Sequence, residues 1–110
     1  MKLPKKSVLL RVFIGENDRF NDRPLYEEIV IKARELNMAG ATVLRGIMGF
    51  GADTRISSTG LHARSKDLPL IIEIVDSSEK INKILPFIDE VVLNGMVTVE
   101  KVKVLKYQHK

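Results

Sequence analysis

Two stretches of the chain, residues 7–15 (SVLLRVFIG) and 68–76 (LPLIIEIVD), are β-rich and almost continuously apolar, each interrupted near its middle by one charge, Arg11 and Glu73. Strands that read this way are buried on both faces and sit in the middle of a sheet. A fold for this chain must therefore give both stretches a neighbour on each edge and cover above and below.

The remaining segments limit how. After the polar loop ENDRFND, Pro24 falls where the first turn of a helix tolerates it, and Leu25, Ile29, Ala33 and Leu36 form one stripe. The spacing predicts a helix that ends near Gly40 as a left-handed cap. Residues 41–49 (ATVLRGIMG) read as a strand. A second helix is expected from Asp76, where Asp76 and Glu79 have capping-box spacing; Ile81, Ile84, Leu85 and Ile88 make its buried stripe, and Pro86 should kink or shorten it. Asn94 and Gly95 mark a turn into the last strand, within residues 96–107. Its apolar phase moves from Val97 and Val99 to Val102 and Val104, which predicts a bulge or break near Glu100 and Lys101.

The order β-α-β-β-α-β with right-handed crossovers gives a ferredoxin-like α+β fold, an antiparallel sheet in the order 4-1-3-2 with both helices on one face. The two most apolar strands then become the central pair. At 110 residues this is one domain, 1–110, with a long loop at about 50–67.

Two helices cover one face only. Alternation puts Leu10, Val12, Leu70, Ile72 and Ile74 on one side and Leu9, Phe13, Ile71 and Val75 on the other, so an apolar patch is left open. Self-association covers such a patch most simply, and a monomer is the less favoured reading. Arg11 and Glu73 fall on the same face of adjacent strands. They read either as an ion pair that satisfies itself inside an interface or, for Arg11, as a ligand contact.

Composition excludes several functions. With no cysteine there is no disulfide framework, thiolate nucleophile or sulfur-ligated metal. No apolar run approaches a membrane span, and the start MKLPKKS lacks the apolar segment of a secretory signal, so the cytoplasm is the expected compartment. The net charge of +4 comes mostly from the ends, and the few aromatic residues are thinly scattered, which speaks against a nucleic-acid platform. His62 has only His109 and scattered carboxylates as companions, so no metal site is expected. No triad in a nucleophile elbow and no close carboxylate pair in apolar surroundings is present, and Glu16 and Asp18 read as solvated carboxylates beside Arg19. No catalytic residues are assigned.

Residues 45–51 (RGIMGFG) are GxxGxG, neither a dinucleotide fingerprint nor a phosphate loop. The glycines suit either a backbone cradle for an anion or a hinge at a strand end. The long segment that follows carries Arg55, His62, Arg64 and Lys66, a composition that fits an anion-sensing or partner-docking arm and fits disorder equally well.

With AGATVLRGIMGFG in place, the chain resembles the PII nitrogen-regulatory signalling proteins, in which a glycine-initiated TV strand runs into GFG and then a long T-loop. It is closer to the PII-like family of uncharacterised proteins, where GE after the first strand (Gly15, Glu16), PL opening the first helix (Pro24, Leu25) and RGIMGFG occur together. The resemblance implies a homotrimer with adenine-nucleotide clefts between subunits. It assigns Thr42, Arg45, Gly46, Gly49, Phe50 and Gly51 to one side of the cleft, and Asn94, Gly95 and a late lysine, Lys103 or Lys106, to the neighbour's side. Arg55, His62 and Arg64 would belong to the docking loop, and the protein partner would be a membrane transporter or an enzyme. Ala52 and Asp53 stand where PII proteins carry Arg and Gln, no lysine adjoins Gly95, and the tyrosine-modification segment is missing. These departures point away from ATP with magnesium and 2-oxoglutarate and toward AMP, ADP or a cyclic nucleotide. The alternative is a structural or partner-binding trimer with no small ligand.

Overall fold

In a computed structural model, residues 3–51 and 67–108 are described. The two apolar stretches become β1 (Lys6–Gly15) and β5 (Pro69–Asp76), paired antiparallel in one unbroken register with Arg11 opposite Glu73. Between them lie the two-residue strands β2 (Arg19–Phe20) and β3 (Arg23–Pro24), α1 (Leu25–Glu35) and β4 (Thr42–Arg45). After β5 come α2 (Ser78–Val91) and β6 (Met96–Lys103). The main sheet has the order β4-β5-β1-β6, so the expected topology holds and the most apolar strands are its centre.

One face of the sheet carries the core. Leu10, Val12, Ile72 and Ile74 are essentially inaccessible, and they pack with Ile29 and Ala33 of α1 and Ile81, Ile84, Ile88 and Val91 of α2. Each such aliphatic side chain withdrawn from water contributes on the order of 1.5–3 kcal/mol. On the other face the same two strands present Leu9, Phe13, Ile71 and Val75, all half-buried.

Local details depart from sequence expectation for identifiable reasons. The segment expected as a featureless polar loop forms a two-residue hairpin, with Phe20 opposite Arg23 and with Asn21 and Asp22 both at positive φ (52° and 63°). A tight hairpin turn needs that conformation twice, and Asn and Asp tolerate it. Phe20 then meets Phe87 of α2 edge to face, ring centroids 6.3 Å apart, and ties the hairpin to the helical layer.

Helix α1 ends before Gly40. Asn37 takes the left-handed position (φ 57°), its N–H donates to Arg34 O, and Met38 N–H donates to Ala33 O at 3.1 Å, the bond pair of a Schellman ending. At α2 the cap is Ser77, whose hydroxyl accepts from Lys80 N at 3.1 Å. Asp76, expected as the cap, is buried and accepts instead from Ser77 N (2.7 Å) and Ala39 N (2.8 Å). Lys80 Nζ donates to the carbonyls of Leu36 and Asn37 at the end of α1, so the start of one helix closes the end of the other. Pro86 does not shorten α2: the helix runs through it to Val91, held in the core by Ile81, Ile84, Ile88 and Val91.

The expected bulge in β6 is absent. Its register with β1 is continuous from Lys103 opposite Lys6 to Met96 opposite Phe13. β6 is an edge strand exposed along nearly its whole length, so Val97 and Val99 on one face and Val102 on the other need no common core to point into. A phase change there costs little.

Candidate functional site

Three strand ends meet at one edge of the sheet. The end of β1 (Phe13, Ile14, Gly15), the start of β5 (Pro69, Leu70) and the start of β6 (Met96) enclose a cavity of about 290 Å³. Its remaining walls are Phe50 and Gly51 of the glycine motif, Asn94 and Gly95 of the turn before β6, and Asp18. Only a glycine permits that turn. Gly95 has φ 154°, and a Cβ there would lie 2.3 Å from Phe13 O, so any side chain would push β6 off the end of β1.

The glycine motif is fastened beside the cavity. Gly46 N–H donates to Pro69 O at 2.8 Å, and a Cβ on Gly46 would meet the Pro69 ring at 2.9 Å. β4 stops at Arg45, four residues short of the expected strand end, and the chain leaves the sheet with Ile47 almost fully exposed (92%) and Phe50 74% exposed.

The turn at residues 15–18 holds the chain on both sides of residues 52–66, where the expected long loop falls outside the described residues. Arg45 forks onto Glu16, Nε to Oε2 at 3.0 Å and Nη2 to Oε1 at 3.2 Å. On the returning side Glu16 N–H donates to Leu68 O (2.8 Å) and Asn17 N–H to Asp67 Oδ1 (3.0 Å). Asp18 closes the turn by accepting from Gly15 N–H at 3.0 Å. Glu16 and Asp18, expected as ordinary solvated carboxylates, are therefore the fasteners of this region; the GE pair after β1 was the sequence signal for them.

A second recess, about 430 Å³, lies toward the other end of the sheet between Thr42, Glu73, Val75, Lys106 and Tyr107. The chain after β6 reaches it because Val104 N–H donates to Lys5 O and Tyr107 Oη to Ala39 O (3.2 Å).

The expected site residues are thus divided in a new way. Phe50 and Gly51 share a cavity with Asn94 and Gly95 of their own chain, while Thr42 joins Lys106 elsewhere. Gly46 and Gly49 shape the backbone beside the first cavity, Arg45 faces Glu16, and Lys103 lines neither opening. Arg55, His62 and Arg64 lie outside the described residues. Sequence reasoning missed Asp18, Phe13 and Met96 as cavity walls, because only the register brings them together.

On the open face the strand pairing lines up two rows. Leu44, Ile71, Phe13 and Met96 stand opposite one another in an apolar row, and Thr42, Glu73, Arg11 and Thr98 in a polar one. Arg11 Nε donates to Glu73 Oε2 at 2.9 Å and Nη1 to Glu100 Oε1 at 3.3 Å. The hydrogen bond to Glu73 holds the guanidinium pKa above its ordinary value.

Among the described residues no group of three His, Cys, Asp or Glu side chains is placed to hold a metal ion, and no helix is long and apolar enough to cross a membrane.

The sequence profile of the DUF190 family, described as "Uncharacterized ACR", matches residues 7–104. A UPF0166 protein from Aquifex aeolicus is 36% identical over 107 residues, covering 96% of this chain and 98% of its own. Another from Methanocaldococcus jannaschii is 33% identical over 102 residues, covering 92% and 94%. Among solved structures, that of a proposed PII-like signaling protein from Thermus thermophilus superposes with a TM-score of 0.64 at 18% identity, covering 90% of this chain and 89% of that one. The likeness carries the fold: four antiparallel strands with two helices, PII-like.

Proposed function

We propose, from the premise that this chain belongs to the DUF190 family and has the PII-like fold, that it is a non-enzymatic signalling protein. In this reading it is a homotrimer that binds an adenine nucleotide with few phosphates, AMP, ADP or a cyclic nucleotide, and reports occupancy to a protein partner through the loop after Gly51. The observation that carries the reading is the cavity where Phe50 and Gly51, at the root of that loop, meet Asn94 and Gly95. A ligand seated there touches the loop root directly, and the turn at residues 15–18 links it to the returning strand.

The open sheet face supports self-association. The row of Leu44, Ile71, Phe13 and Met96 adjoins exposed Phe50, which lines one cavity with Phe13 and Met96, the kind of apolar surface that closed oligomers cover. In a trimer the recess of Thr42 and Lys106 would supply the neighbour's contribution to the cleft. Calorimetry against AMP, ADP, ATP and cyclic nucleotides, with mass measured by light scattering, tests both parts. At least one nucleotide should bind to a species of three chains, and Gly49→Val should weaken it; silence across the panel removes the nucleotide from the reading.

The absence of any cation among the described residues lining the cavity favours a second reading, a trimer that binds a partner without a small ligand. Unchanged partner capture with and without nucleotide is its expected pattern.

A further inference from the structure

The cavity beside Phe50 differs from an anion site in size, charge and backbone. Small-molecule pockets run from about 300 to 1,000 Å³, and about 290 Å³ stands at the small end of that range, room for a ring system. Its side-chain walls are mostly apolar, with Phe13, Ile14, Phe50, Leu70 and Met96, and two aromatic rings among them offer the faces on which a flat heterocycle stacks. Polar contacts come from Asn94, which both donates and accepts, and from Asp18, whose ionised carboxylate only accepts.

Phosphate sites are assembled from arginine, lysine or converging backbone N–H groups. None of the described lining residues is Lys, Arg or His. The backbone N–H of Gly15, at the strand end where such a loop would turn toward an anion, donates to Asp18 Oδ2 at 3.0 Å. A carboxylate of the chain itself thus takes up that N–H, which is not offered to an anion.

We infer that this cavity admits the ring of an amino-bearing aromatic heterocycle, such as an aminopurine, and turns the ligand's phosphates outward. This rests on the nucleotide reading above and specifies which end of the nucleotide enters. Amino N–H groups of the ring match the acceptors Asp18 and Asn94 on the cavity wall.

The test uses the full chain and a series that differs only in phosphate count: adenosine, AMP, ADP and ATP, titrated by calorimetry. Adenosine should bind, with affinity changing by less than about tenfold across the series. Phe50→Ala, at a side chain already 74% exposed, should weaken all members to a similar degree. Affinity that climbs about tenfold or more with each phosphate, with adenosine silent, overturns the inference and leaves the nucleotide reading standing. Adenosine binding while every phosphorylated member fails also overturns the inference, because phosphates turned outward would not block entry. Silence from all four overturns the inference, and silence from cyclic nucleotides as well overturns the nucleotide reading with it.

Discussion

The two faces of the main sheet are built from the same strands and nearly the same residues, yet one is finished and the other is not. On the helix side Leu10, Val12 and Ile14 of β1 and every second residue of β5 from Leu70 are sealed, and the buried carboxylate there, Asp76, is satisfied by two backbone N–H groups. On the open side the alternate residues are only half-buried, and a charge pair crosses the middle. The contrast separates hydrophobicity, which the two faces share, from cover, which they do not. Folding needs the first face; the second is available for association.

Substitutions matched across the sheet test that separation. The largest effect is expected for Ile72→Ala, which empties a sealed site and should cost about 2–5 kcal/mol in urea unfolding. Its neighbour Ile71→Ala, on the open face, should cost less than half as much; equal losses would mean that the open face is as well packed as the core. Next comes Asp76→Ala, which leaves two buried N–H donors without their acceptor and should cost about 1–3 kcal/mol. Leu44→Asp should change subunit unfolding little, because the side chain is already exposed, and on the proposed trimer reading it should lower the mass seen by light scattering from three chains to one. An unchanged mass would exclude this row from the interface.

The smallest effect is expected for Glu73→Gln, since the pair it breaks is partly open to solvent and Arg11 keeps Glu100. The sign of its pH dependence follows from Arg11. A pKa raised in the folded state stabilises fully below the ordinary arginine value and is lost only as pH rises through the raised one, so this pair should add no slope to stability near neutral pH. A slope that disappears in Glu73→Gln would assign the titration to a different partner.

Much of the fold was legible because the signals were long. Eight or more residues of almost continuously apolar strand fix β1 and β5 as central, and the stripes of Ile29 and Ala33 and of Ile81, Ile84 and Ile88 fix both helices. The Arg11–Glu73 pair followed from strand adjacency and parity alone. What escaped was decided by single residues in competition. Asn37 took the left-handed ending that Gly40 could have taken, Ser77 displaced Asp76 as a cap once Asp76 was drawn to Ala39, and Asn21 with Asp22 made a hairpin without the usual glycine. The candidate site was legible as a list of residues but not as a grouping. That Asn94 and Gly95 face Phe50 and Gly51 within one chain depends on β1 and β6 ending together, a property of register that no local pattern encodes.

The clamp formed by Glu16 and Asn17 on Arg45, Leu68 and Asp67 bears on how such a protein can change over evolutionary time. Closing a flexible chain between fixed ends costs only about 0.6 kcal/mol more for each doubling of its length, so the turn can keep both flanks in place while the length between them varies. Under the reading proposed above, a new partner would then call for changes in that segment alone.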